Sequence, residues 1–444
     1  MALFTPSESP AVVVKEIDLT GGVPNVQSTT GAIVSPFRWG PVEERKLIAN
    51  EAGLVDTFAS PGSSGTAAAG FLSCVQYLRY SSSLQVVRMG AKYNSKGFPY
   101  KSPASHDSVG ALSDRKIKNL ADWTSQETTR ISDGYSFFAK YPGALGNSLK
   151  VSMCPPDSDV FESWTYKSSF DTKPGTSTFA SGKSARLDEI HMVVIDDQGA
   201  FSGTKGTILE TYPYLSVAKN AKGEAGISNF AKDVINQKSQ YIWMANFDSN
   251  YSNAYTHVNT ANILQPDVSA GSNITSQVAG TDADSGDVFY TRISDTTASN
   301  FTFSAGEDSN PGKADYLTGF DLFEDKDTVE IDFLIAPGCV TRDGLTTIVN
   351  DLVSTAQSTR KDCVVVCSPT STSVVNPTNV DTAVSNAVAD GATLTQSSYL
   401  IMDGTWLKVY DKYNDQYVQI SANSTTAGIM AATDLNRAAW FSPA

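Results

Sequence analysis

Near each end of this chain, strand-length apolar runs alternate with amphipathic helices, and that alternation constrains the fold more than any other feature. In the first stretch Gly31-Ala-Ile-Val-Ser reads as a strand and Asn50–Phe58 as a short helix capped by Asn50. Ala67–Tyr80 reads as a second helix with Phe71, Leu72, Val75 and Leu78 on one stripe, and Leu84-Gln-Val-Val-Arg-Met as the strand that follows. In the second stretch Thr328–Ala336 reads as a strand and Leu345–Ala356 as a helix with Ile348, Val349, Leu352 and Val353 inward. Asp362-Cys-Val-Val-Val-Cys-Ser-Pro reads as a strand covered on both faces, Val380–Val388 as a helix, and Tyr399-Leu-Ile-Met as a strand turned at Asp403-Gly404 into Leu407-Lys-Val-Tyr. Strands recurring every 30–35 residues with helices between them imply right-handed crossovers and a largely parallel sheet.

The interior of the chain differs. Asn147–Met153 alternates apolar and polar residues as a half-buried strand does, and His191–Ile195 and Thr207–Thr211 read as two strands joined through Asp196-Asp-Gln-Gly. Ile227–Ile235 has helical spacing, and Tyr241-Ile-Trp-Met-Ala reads as a buried strand. Residues 91–134, with the lone Trp123, lose apolar periodicity and read as a small exposed excursion; 267–315 read as a long acidic surface loop or loose hairpin. At 444 residues the chain is too long for one ordinary core, and the expected class is α/β plus a β-rich part, in several domains.

Composition narrows function. A net charge of −14 argues against nucleic acid as the partner, which needs a basic footprint. No apolar run approaches the length of a bilayer span, and Met1–Pro10 has neither the basic nor the apolar region of a secretory leader. Charge is uneven: from Asp267 to Asp327 twelve acids face three bases, and from Gly90 to Gly134 seven bases face five acids. Solvated loops account for this, as would complementary patches on neighbouring copies. Of the five cysteines, Cys363 and Cys367 would share a strand face about 13 Å apart, too far to bridge.

The motifs of chemistry are missing. His106, His191 and His257 are scattered, and no nucleophile elbow, Walker loop or dinucleotide fingerprint occurs. Asp282-Ala-Asp-Ser-Gly-Asp287 departs from a calcium loop, with Ile293 where the bidentate Glu belongs. Asp411-Lys-Tyr-Asn-Asp415 reads as a charged turn after a strand rather than a catalytic carboxylate pair. No cofactor or metal is expected, and no enzyme activity.

Several blocks, taken in order, carry a resemblance. Pro36-Phe-Arg-Trp39-Gly40-Pro41, Leu47–Phe58 and Leu84-Gln-Val-Val-Arg88 resemble the opening domain of tail sheath proteins from contractile-tailed bacteriophages. Tyr141-Pro-Gly-Ala-Leu-Gly-Asn147, Lys361–Pro369, Tyr410 followed by Asp411, Lys412, Tyr413, Asn414 and Asp415, Ala427–Asp434 and Trp440–Pro443 follow in that family's order. The resemblance implies a discontinuous α/β core domain (24–90 plus 316–444) with an inserted β-rich outer domain (135–315). It further implies a small protrusion (91–134) inserted in the outer domain, and an N-terminal arm (1–23).

It also implies a homo-oligomer of sixfold rings stacked as a helical sleeve around a tail tube protein, with baseplate and tail terminator proteins as further partners and neither nucleic acid nor membrane among them. Such a sleeve is assembled in the host cytoplasm, becomes part of the virion tail, and contracts to drive the tube through the host envelope. A bacterial contractile injection system or phage-tail-like particle is the alternative setting. Val12, Val13, Val14 and Ile17 become the arm strand exchanged with a neighbour, and Gly21 and Gly22 its hinge. From the residues alone, Ala11–Leu19 also reads as an internal edge strand. The family continues past the Ser-Pro-Ala block into a tube-facing domain that this sequence does not show.

Overall fold

A computed structural model describes residues 29–62, 65–90, 104–105, 117–132, 137–156, 158–183, 187–245, 298–438 and 440–443. Val12, Val13, Val14, Ile17, Gly21, Gly22, His106, His257 and Asp282–Asp287, for which the sequence raises expectations, lie outside them. In chain order the strands are β1 Gly31–Ser35, β2 Arg45–Ile48, β3 Leu84–Arg88, β4 Ala104–Ser105, β5 Phe137–Ala139, β6 Leu149–Cys154, β7 Glu189–Asp196 and β8 Thr207–Ser216. They continue with β9 Ile242–Met244, β10 Ser299–Ser304, β11 Phe333–Ile335, β12 Val364–Cys367, β13 Leu400–Met402, β14 Trp406–Asp411 and β15 Gln416–Ser421.

The two alternating stretches of the sequence meet in one six-stranded sheet of order β13-β12-β11-β1-β3-β2. All neighbours are parallel except β2, which runs antiparallel to β3. β1 is the centre: Gly31 lies opposite Leu84 on one side and Phe333 on the other, so strands about 300 residues apart in sequence share one ladder. Side chains alternate across the pleat. Ile33 and Val366 face a cluster built with Leu54, Phe58, Phe71 and Val75, from the helices Glu51–Phe58 and Thr66–Leu78. Ala32, Val34, Val365 and Cys367 face the opposite cluster, built with Leu345, Ile348, Val349 and Leu352 of the helix Arg342–Ser354. Cys363 lies in that same cluster, and all five cysteines are free and buried.

A second, seven-stranded sheet has the order β8-β7-β6-β10-β4-β5-β9, antiparallel throughout. β14 and β15 form a separate hairpin packed on the first sheet through Val409, Val418 and Ile420. The architecture is thus mixed α/β with several sheets.

Five local expectations need correction. The acidic stretch 267–315 does not end as a surface loop: β10 sits between β6 and β4, with Phe301 and Phe303 buried. Its acids hid the alternation of Phe301 and Phe303 because they flank the strand rather than interrupt it. Trp123 is buried on the helix Leu120–Ser132 and stacks on Trp243 at 5.2 Å. Asp403-Gly404 is not a hairpin turn: β13 pairs with β12 in the parallel sheet, while β14 pairs with β15. The strand foreseen from Thr328 forms only over Phe333–Ile335, and the helix foreseen from Ile227 runs over Ala231–Lys238 with Ile227 exposed.

β10 yields a test. Phe301 meets Phe137 edge-on at 5.1 Å inside the second sheet's core. Phe301→Ala should lower stability in urea denaturation by about 3 kcal/mol, the scale of a truncated core aromatic, whereas Asn300→Ala, on the exposed face of the same strand, should change it by less than about 0.5 kcal/mol.

Candidate functional site

Trp39, Gly40 and Pro41 lie in the connection from β1 to β2, both strands of the first sheet, where that connection meets the second sheet. The Trp39 ring is buried not in the first sheet but in the second sheet's cluster, edge-on to Tyr141 at 5.4 Å and to Phe201 at 5.0 Å. Gly40 turns the backbone at φ +97°, where an added Cβ would stand 2.5 Å from Phe58 Cδ1 and 2.7 Å from the Thr57 carbonyl. Only glycine fits that conformation and that contact.

The bend is held by Arg88, the last residue of β3, whose side chain is completely buried. Its Nε donates to Phe37 O at 2.8 Å, Nη1 to Gly40 O at 2.7 Å and Nη2 to Pro142 O at 2.7 Å. One planar fork thereby ties the turn after β1 to the turn after β5. Gly143 makes room, since its missing Cβ would lie 3.1 Å from Arg88 Nη2. A further segment joins here: Val42 N donates to Lys118 O at 2.9 Å, Asn119 Nδ2 to Val42 O at 3.0 Å, and Lys118 pairs with Glu43.

Asp196 builds the wall facing Trp39. It ends β7, and the turn that follows wraps around its buried carboxylate. Oδ2 accepts from Phe201 N (2.9 Å), Ser202 N (2.7 Å) and Ser202 Oγ (2.8 Å); Oδ1 accepts from Gly199 N, Ala200 N and Ser148 Oγ. Burial alone would raise this carboxyl, but the donors outweigh it and hold it below the usual carboxylate range. The turn in turn fixes Phe201 against Trp39.

The second motif, Asp411 to Asp415, joins β14 to β15 and is a turn, as the sequence indicated. Asp411 is buried and accepts from Tyr413 N at 2.9 Å and Asn414 Nδ2 at 2.7 Å; Asp415 takes φ +50°. The turn faces the helix Glu51–Phe58: Lys412 Nζ reaches Glu51 Oε2 at 3.0 Å and Tyr413 OH reaches Glu51 Oε1 at 2.9 Å. The Tyr413 ring also meets Phe71 edge-on at 5.7 Å, and Asn414 Nδ2 donates to Pro61 O and Gly62 O at 3.2 Å each. The two motifs are not brought together into one pocket. Each fastens segments remote in sequence. Sequence reading missed Arg88, Asp196 and Glu51; a charged residue closing an apolar strand, as Arg88 and Asp196 both do, is the signal that could have found the first two.

His191 is buried, stacked on Phe170 at 4.2 Å, with Nε2 against Thr172 O at 2.7 Å and Nδ1 accepting from Tyr214 N at 3.1 Å. Burial depresses its pKa despite the bond to the Thr172 carbonyl. Among the described residues no group of three or more His, Cys, Asp or Glu could hold a metal ion, and no helix is long and apolar enough to cross a membrane. Asp403 lies between β13 and β14, where burial pushes its carboxyl up to about 6 against donors from Ser368 (2.9 Å), Thr405 N and Thr426.

Fold and junctions together define a scaffold of several sheets whose motif residues join segments instead of lining a reaction centre. The chain is similar across nearly its whole length to tail sheath proteins of bacteriophages. It is 25% identical to the tail sheath protein of Enterobacteria phage T4 over 98% of this chain and 74% of that protein. The tail sheath protein of Vibrio phage KVP40 is 22% identical over 98% and 75%, and that of Salmonella phage ViI 25% over 97% and 71%. No family model matches. Among solved structures, sheath tail proteins from Listeria innocua and Desulfitobacterium hafniense align with TM-scores of 0.44 and 0.43 at 11% identity. The chain spans about three quarters of the curated relatives' length, and 56% and 62% of those two solved chains.

Two outcomes test the junctions. Arg88→Lys leaves one ammonium for three carbonyls and should cost about 3 kcal/mol in urea denaturation; a loss below about 0.5 kcal/mol would show that Arg88 does not hold the bend. For Asp403, the folded-state pKa lies above the unfolded value, so its contribution is greatest below about pH 4 and is lost as pH rises through about 6. Asp403→Asn should therefore gain about 1–2 kcal/mol over wild type between pH 4 and pH 7, after allowance for its partial exposure.

Proposed function

We propose that this chain is the structural subunit of a contractile phage tail sheath. It polymerises as stacked hexameric rings around the tail tube and contracts to drive the tube through the host envelope. The observation that carries the reading is the match to three tail sheath proteins across 97–98% of the chain. Because those relatives are phage proteins, the phage tail is favoured over a bacterial injection system. The subunit acts without catalysis; its partners are further copies of itself, the tail tube protein, and baseplate and tail terminator proteins. It is assembled in the host cytoplasm and ends in the virion tail.

The domain division follows the same reading. We assign 24–90 with 316–444 to a discontinuous core domain, 135–315 to an outer domain, 91–134 to a protrusion inserted in it, and 1–23 to an arm hinged at Gly21 and Gly22. The ladder of β1 with both β3 and β11 supports the first assignment. Trp39 and Arg88 then sit between core and outer domains, where a rigid coupling lets rotation of one carry the other. Contraction becomes a switch between two packings of rigid bodies, and a gain of ~1–3 kcal/mol per subunit adds up along a long stack.

Electron microscopy of the purified chain, concentrated stepwise, tests this. Tubes or rings of one fixed diameter are expected; a protein that stays monomeric at every concentration, or that turns over a small substrate, would contradict the reading.

A further inference from the structure

The helix Val380–Gly391 inverts the usual burial pattern. Its bulkiest apolar residues, Val380, Val384 and Val388, form one stripe at i, i+4 and i+8 and are 75%, 57% and 67% exposed. Its buried residue is Asp390, and Ala383 and Ala387 are half-buried. The stripe is firmly presented: Asn379 caps the helix through Thr382 N at 2.8 Å, and Asp390 accepts from Arg342 Nε at 2.7 Å and from Thr370 N at 2.9 Å.

The helix leads into β13, an edge of the six-stranded sheet. Tyr399 O and Asp403 N bond inward to β12, so strand alternation turns the peptide groups of Leu400 and Met402 outward. Leu400 and Met402 pack on the cluster beneath the helix, and Ile401, on the other face, is exposed. The opposite edge of the same sheet is β2, where Leu47 is 62% exposed. The helix bears only acidic charges, Asp381 and Asp390, whereas β2 carries Arg45 and Lys46. Arg45 is held by Leu322 O and the Thr328 hydroxyl, and Lys46 by Glu44.

We propose that the β13 end of one subunit, with its valine stripe, docks on the β2 end of a second copy of this chain. The inference rests on the self-assembly reading above and names the faces it uses. The stripe and Ile401 expose roughly 400 Å² of apolar surface, enough to mark a contact site but about half of what one partner buries in a standard interface. A patch of that size does not sustain an isolated dimer; it serves a contact repeated and reinforced in a polymer. The two ends lie at opposite sides of one sheet, so joining unlike ends is head-to-tail and propagates, whereas pairing valine stripe with valine stripe would stop at two.

Sedimentation velocity and electron microscopy on the full chain test it, with V384D/V388D on one end and L47D on the other. All three substituted positions are exposed, so circular dichroism and melting should match wild type; if a charged variant unfolds, V384T/V388T and L47T serve the same comparison. Each variant should need at least tenfold more protein to assemble, and a mixture of the two should give nothing longer than a dimer, since only one intact contact remains. Wild-type assembly by either variant, or polymers in the mixture, would overturn the pairing. Loss with V384D/V388D alone would overturn the head-to-tail arrangement in favour of a two-fold contact. A wild-type chain that never assembles would overturn the sheath reading, and the docking inference with it.

Discussion

The guanidinium of Arg88 is the point on which the rest of the arrangement turns. A fully buried cation is costly unless its donors are satisfied, and here the fork is spent on carbonyls of two separate turns. Those turns leave β1 in one sheet and β5 in the other, so a single side chain fixes how one sheet sits on the next. Gly40 and Gly143 are glycines because the backbone approaches this group and the Phe58 ring too closely for any Cβ. Trp39 then carries apolar surface from the first sheet's connection into the second sheet's core.

Long-range closure recurs through the molecule. β1 lies between a near neighbour, β3, and a distant one, β11, and the Asp411–Asp415 turn returns to a helix some 360 residues earlier through Lys412, Tyr413 and Glu51. Exposed ion pairs such as Lys412 with Glu51 contribute little alone; the aromatic edge of Tyr413 on Phe71 and the backbone bonds of Asn414 give the clasp its geometry. In the proposed sheath role, where a subunit moves as a body, closure of this kind matters more than any pocket.

Much of the first sheet could be read from residues because its strands are continuous apolar runs and its helices show clean stripes: Leu54 and Phe58, then Phe71, Leu72 and Val75, are buried as their spacing requires. β10 was hidden by flanking acids, and Trp123 by a segment without periodicity, since its burial comes from stacking on Trp243 rather than from a helical stripe of its own. The link at Asp403-Gly404 misled because two adjacent strands normally pair, yet β13 is claimed by β12. The helix Val380–Gly391 was legible as a helix but not as one with its valines outward, because periodicity gives a face and not its surroundings. Trp39 and the Asp411–Asp415 block were singled out by resemblance; what they do, joining sheet to sheet and hairpin to helix, rests on Arg88, Asp196 and Glu51, whose partners lie too far along the chain for local pattern to reveal.

The central physical claim is that the two large sheets behave as one body locked at Arg88. Native-state hydrogen exchange across a urea series measures this directly. Peptides covering β1, β3, β6 and β7 should lose protection together, with one slope and one midpoint. Early exchange in β6 and β7 while β1 and β3 stay closed would show two independently opening units and contradict the account.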